Sequence, residues 1–148
     1  MRNDPARHDP ATYPFTLDIH PRYGDMDTNA HLNNVAFARY FEEGRVRLHQ
    51  HLRDRHPALD GPRAIIANVT IDYLAEGGWP DTCRLGAGVA HVGNSSYRIG
   101  MALFQAYACI ALCDSTVVHR AADGPGGAPL PASLRAALEG LRLAASAI

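Results

Sequence analysis

Cysteine is scarce in this sequence: Cys83, Cys109 and Cys113 are the three in 148 residues. An odd number without a Cys-x-x-Cys pair argues against a disulfide framework and fits a reducing compartment, here the cytoplasm. Cys109 and Cys113 are four apart, so on a regular strand they would share a face, as packing residues. Net charge is lacking as well. Fourteen basic residues face fifteen acidic ones, for a formal charge of -1. Neither nucleic acid nor an anionic membrane surface has an electrostatic claim on such a chain. No apolar run reaches 18 residues, which excludes a spanning helix. The first twelve residues, MRNDPARHDPAT, are polar, carry Pro5 and Pro10, and lack the apolar stretch of a secretion signal. They are expected to form a flexible leader. The whole chain is 47% hydrophobic and 20% charged, enough to bury one core in a domain of this length.

Periodicity places the elements. Phe15, Leu17 and Ile19 alternate with Thr16, Asp18 and His20, a half-buried strand running toward Pro21 and Tyr23. From Asn33 to Pro57 the period becomes helical. Phe37, Phe41, Gly44, Leu48 and Leu52 step by three or four onto one face, with Asn33 or Asn34 as cap. After Pro62 the period returns to two. Val69, Ile71 and Tyr73 share a strand face, and CRLGAGVAHVG follows as a second strand. A long apolar stretch from Tyr97 to Arg120 then holds one strand or two, with a break near Gln105. Residues 132–148 read as an amphipathic helix with Leu134, Leu138, Leu141 and Ala145 on one side. One long helix followed by a run of strands predicts an α+β domain with the helix against an antiparallel sheet.

Between the first strand and the helix lies GDMDTNAHLNN, Gly24 to Asn34. The first N–H groups of a helix lack partners inside it and carry the positive end of its dipole, so they can hold a developing oxyanion. Asp27 lies just upstream. A carboxylate there can attack an acyl carbon or take a proton from water, and His31 can orient it or shuttle a proton. Residue types alone therefore suggest acyl transfer to water. Plain capping and turn formation is the commoner use of Asp and Asn before a helix, and on residue types alone it is the favoured reading. A metal held by Asp25, Asp27 and His31 is the third option, although no second His or Cys stands at a recognised spacing.

RYGDMDTNAHLNNVAFARYFEEGR resembles the N-terminal motif of hotdog-fold acyl-CoA thioesterases, the 4-hydroxybenzoyl-CoA thioesterase-like group. The run Asp-x-Asp-x-x-x-His-x-Asn-Asn before an aromatic-rich helix carries the likeness. It continues through IDYL, VGNSSYRI and ACIALCDSTVVHR, over residues 13–131. The resemblance implies a hotdog fold over 13–131, a long helix wrapped by a curved antiparallel sheet, with the C-terminal helix appended. It implies hydrolysis of an acyl-CoA or acyl-carrier-protein thioester, with no metal and no cofactor beyond the substrate's own coenzyme A. Homodimers or homotetramers with sites between subunits are expected. By the motif, Asp27 is the catalytic carboxylate, as nucleophile or general base. Tyr23, Asn29 and His31 support it, and the helix start at Asn33 and Asn34 polarises the thioester carbonyl. Tyr73 and the turn Gly93, Asn94, Ser95 and Ser96 border the substrate channel.

The chain departs from the pattern in three places. Phe37 stands where relatives often have Tyr. YLAEGGWPDT replaces a basic, proline-containing turn that would meet the phosphates of CoA. Asn34 occupies a position where some relatives place a His. Two other hotdog activities remain as alternatives: an enoyl-CoA hydratase, for which His31 comes one residue too soon, and a non-catalytic acyl-CoA or acyl-carrier binding protein.

Overall fold

A computed structural model describes residues 1–57, 64–121 and 123–145. The elements run β1 (Phe15–Ile19), α1 (Asn34–Arg55), β2 (Ala64–Tyr73), β3 (Cys83–Val92), β4 (Ser96–Gln105), β5 (Ala108–His119) and α2 (Ala132–Glu139). The five strands form one antiparallel sheet in the order β1-β3-β4-β5-β2. Helix α1 packs on one face of that sheet. This is the hotdog arrangement that the motif implies. No described helix is long and apolar enough to cross a membrane.

The buried face of α1 is the one its period marks: Phe37, Phe41, Gly44, Leu48 and Leu52. Each large apolar side chain there contributes roughly 2 kcal/mol, an upper estimate. Gly44 costs about 1 kcal/mol against Ala in a helix. The reason for it is contact: a Cβ would sit 2.6 and 2.7 Å from the two methyls of Leu85 on β3. Helix and sheet come this close only because the side chain is missing.

Strand order is where sequence adjacency fails. β2 does not pair with β3. It lies at the far edge beside β5, and residues 74–82 cross the end of the sheet to start β3. This crossover passes the start of α1 and matters for the site. Val69, Ile71 and Tyr73 do face the helix side, opposite Ser115, Cys113 and Ala111. Val69 and Tyr73 nevertheless stay almost half exposed, because α1 covers the middle of the sheet and not this edge.

The break near Gln105 is a two-residue turn, Ala106–Tyr107, with φ of 49° and 66°. A bulge follows it: Phe104 faces Cys109 while Leu103 faces Ala111, leaving Ile110 between. The bulge turns Cys109 toward Tyr13, Phe104 and Leu112, while Cys113 stays in the main core. The two cysteines thus lie on opposite faces of the sheet, and burial pushes both thiols up to about 11.

Two terminal segments differ from expectation. Residues 1–12 are packed rather than loose. They form 3-10 turns at Pro5–His8 and Pro10–Thr12, and Arg7 is buried on the sheet face away from α1. Its guanidinium reaches the Asp114 carboxylate at 2.9 Å, the Tyr13 hydroxyl at 3.1 Å and the carbonyls of Met101 and Cys113 at 3.3 Å. The C-terminal helix ends at Glu139 instead of continuing, and positions 146–148 of its expected span lie outside the described residues. Residues 141–143 lie along β3, exchanging backbone hydrogen bonds with Val89 at 2.7 and 3.0 Å. Pairing with an otherwise open stretch of β3 outweighs the last helical turns.

Candidate active site

The chain leaves β1 at Ile19 and makes a 3-10 turn at Tyr23–Asp25. It then folds residues 25–33 into a small hairpin that feeds α1. Three rungs close the hairpin. Asn33 N–H donates to the Asp25 carbonyl at 3.0 Å, Met26 bridges Leu32, and Asp27 N–H donates to the His31 carbonyl at 2.9 Å. Ala30 N–H returns to the Asp27 carbonyl at 3.0 Å, with Ala30 at φ 60°. Asp27 Oδ1 accepts the Asn29 amide at 2.8 Å, an Asx turn. Asp27 and Asn29 are exposed.

The helix start is capped as its sequence predicts, by Asn33, whose side chain accepts the Ala36 amide at 2.8 Å. Phe37 N–H bonds the Asn33 carbonyl. Among the described residues the amides of Asn34 and Val35, the first two of α1, have no acceptor, which suits them to an outside one.

The crossover forms the second wall. Leu32 N–H donates to the Gly77 carbonyl at 2.8 Å. His31 Nε2 lies 3.0 Å from Glu76 Oε2. Tyr23 meets Trp79 edge-on at 5.4 Å, both rings largely exposed. Gln105 holds this wall in place. Its amide donates to the carbonyls of Gly78 and Asp81 at 2.8 and 2.7 Å and accepts the Gly78 N–H at 2.9 Å. Tyr73 stacks edge-on against Phe37 at 5.4 Å, with its hydroxyl 3.5 Å from the Asn34 carbonyl.

One chain therefore brings together Tyr23, Asp27, Asn29, His31, Asn33, Asn34 and Tyr73. It does not bring the Gly93–Ser96 turn to them. That turn lies at the other end of β3, about 30 Å along ten strand residues. Its backbone is engaged in anchoring the C-terminal region: Arg135 donates to Gly93, Leu130 to Asn94 and His119 to Ser95. The metal option also separates. Asp25 is buried beneath the hairpin and His31 turns to Glu76. Among the described residues no three His, Cys, Asp or Glu side chains converge as ligands.

Sequence reasoning gave no role to Gln105, Glu76 or Tyr40. A polar residue inside the apolar run MALFQAY was the available signal for Gln105. Nothing local marked Tyr40, whose hydroxyl bonds Asp25 at 2.6 Å.

The thioesterase-like superfamily profile matches residues 21–138, which span the hairpin, the helix and nearly the whole sheet. This chain belongs to the thioesterase-like superfamily. Solved structures agree. A predicted thioesterase from Bacillus stearothermophilus is 26% identical over 86% of this chain and 96% of its own, with a TM-score of 0.77. A thioesterase from Thermus thermophilus, complexed with coenzyme A and Zn, is 25% identical over 87% and 94%, at 0.74. A 1,4-dihydroxy-2-naphthoyl-CoA thioesterase from Synechocystis shares 16% identity over 84% and 94%, at 0.71, a likeness of fold alone. No curated protein matches the sequence significantly. Membership in the superfamily makes thioester hydrolysis the activity to be explained.

Proposed function

We propose that this protein is a cytoplasmic acyl-CoA thioesterase, converting an acyl-CoA and water to a carboxylic acid and CoA. The observation that carries the reading is the hairpin. Its rungs fasten the Asp27 strand to the residue that caps α1. The thioester carbonyl oxygen would sit at the Asn34 amide, where one donor is typically worth about 3 kcal/mol in the transition state. The Asp27 carboxylate, through Oδ2, would take a proton from the attacking water or attack the carbonyl carbon itself. Tyr23, Asn29 and His31 would shape the polar side of the site. Tyr73 would border the acyl group.

A second copy completes this site in the proposal. β2 is a ten-residue edge with Ile65, Ile66, Val69 and Tyr73 exposed, an unpaired template for another strand. Antiparallel pairing with the same strand of a partner sets the partner's Ala64 end beside Tyr73. The partner subunit's Gly93–Ser96 turn then comes within about three strand spacings, roughly 14 Å. Such pairing would also cover Asp27's neighbourhood, which one chain leaves open. The proposed oligomer is accordingly a homodimer or a pair of such dimers.

The test is a substrate panel. Purified protein is assayed with short, long, branched and aromatic acyl-CoAs, and with acyl-carrier-protein thioesters, in the presence of a thiol reagent. Thiol release with at least one of them is expected. Binding without release across the panel would favour the acyl-binding alternative. Loss of enoyl absorbance without thiol release would favour a hydratase.

A further inference from the structure

Beneath the hairpin, one buried carboxylate links it to the start of α1. Asp25 is 5% exposed. Oδ2 accepts the Tyr40 hydroxyl at 2.6 Å and the Arg22 amide at 2.9 Å, and Oδ1 lies 3.9 Å from the Arg22 guanidinium. The Asp25 backbone carbonyl takes the Asn33 amide. Two of these bonds lead to α1: Tyr40 lies in its second turn, and Asn33 is its cap. Asp27 follows Asp25 by two residues, and Asn34 follows Asn33 by one. A single residue thus ties the strand bearing the carboxylate to the residue preceding the free amides. Among the described residues, Tyr40 is the only hydrogen-bond partner of the Asp25 side chain that belongs to α1.

We propose that Tyr40 is a positioning residue: through Asp25 it holds the Asp27 hairpin in register with the amides at the start of α1. The inference rests on the thioesterase reading above. Because the helix is fixed by its packing, the hydroxyl transmits that position to the loop. A phenyl ring in its place would fill the same space and remove the side-chain bond from α1 to the hairpin, leaving its own rungs and its contacts with Arg22 and the crossover. Misplacement of reacting groups by about 1 Å can cost as much as 100-fold in rate, whereas the loop's backbone bonds would survive.

The experiment compares Tyr40→Phe with Tyr97→Phe on the substrate that the panel selects. Tyr97 is another buried tyrosine, whose hydroxyl bonds His49 at 2.7 Å, remote from the hairpin. Tyr40→Phe is expected to lower kcat about tenfold or more with KM nearly unchanged. Tyr97→Phe is expected to lose stability alone. In an Asp27→Asn background, Tyr40→Phe should lower the residual rate no further. Asp25→Leu, similar in shape but with no acceptor for the Tyr40 hydroxyl, provides a second variant with the same kcat-selective loss should Tyr40→Phe not fold. Wild-type kcat in folded Tyr40→Phe or Asp25→Leu, with Asp27→Asn inactive, would overturn the proposal and leave the thioesterase reading standing. Full activity in Asp27→Asn would instead remove the reading on which it rests.

Discussion

The ring of His31 and the carboxylate of Glu76 meet at 3.0 Å, and through them the hairpin meets the crossover from β2 to β3. Both side chains are substantially exposed. A pair of this kind is worth at most about 1 kcal/mol in water. No hydrogen bond joins the His31 ring to Asp27 among the described residues. His31→Gln is therefore expected to lower kcat/KM less than about tenfold, and Glu76→Gln less still. Steady-state kinetics on both variants checks this. A loss at His31 as large as the loss at Asp27 would mean that the ring handles the proton itself.

The open edge of β2 makes a prediction about assembly. Val69 faces the helix side and is 46% exposed in one chain. Val69→Lys should leave the protomer folded, because it touches no closed core, and should break strand pairing between copies. Sedimentation should report monomers, and activity should fall with the loss of the partner's contribution. Unchanged oligomers would place the interface elsewhere.

His49 supplies a pH dependence of stability. Its ring bonds the Tyr97 hydroxyl at 2.7 Å against the sheet. Burial, with help from the Arg45 and Arg53 charges, lowers its pKa from the ordinary 6.5 to about 4. The folded state binds fewer protons there than the unfolded chain. Stability is therefore full above pH 6.5 and falls as pH drops toward 4, by at most about 3 kcal/mol from this group. His49→Gln keeps a hydrogen-bonding partner for Tyr97 and has no such titration. Denaturant unfolding at several pH values should show a shallower slope for the variant between pH 6.5 and about 4.5.

The turn between β4 and β5 holds two L-residues at positive φ, Ala106 and Tyr107, where Asn-Gly is the preferred pair. The Tyr107 side chain is fully exposed. The double change Ala106→Asn, Tyr107→Gly should stabilise the fold by about 1 kcal/mol, a few degrees in Tm. Thermal unfolding measures it, and activity should not change.

What could be read from the sequence follows from which forces are local. The α1 face from Phe37 to Leu52, the Asn33 cap and the alternation in β1 are set within a few residues, and the structure has them. The position of β2 depends on pairing with β5 across some forty residues of chain, which no period records. Nothing within α1 marks His49 for burial, because Tyr97, which covers it, comes from β4. Arg7 looks like part of a loose leader because Asp114 lies so far along the chain. At the site, the order of Asp27, His31, Asn33 and Asn34 was legible as a motif. The bonds that fix the hairpin, from Asp25 to Tyr40 and from Leu32 to Gly77, join separate elements and were not.

The most direct measurement is kcat/KM of Asp27→Asn against wild type on the best thioester of the panel. Asn at this exposed position can still accept the Asn29 amide, so the turn and the melting temperature should persist. The account predicts a loss of at least about 100-fold, the scale of a missing general base or nucleophile. Near wild-type turnover by a folded Asp27→Asn protein would contradict it.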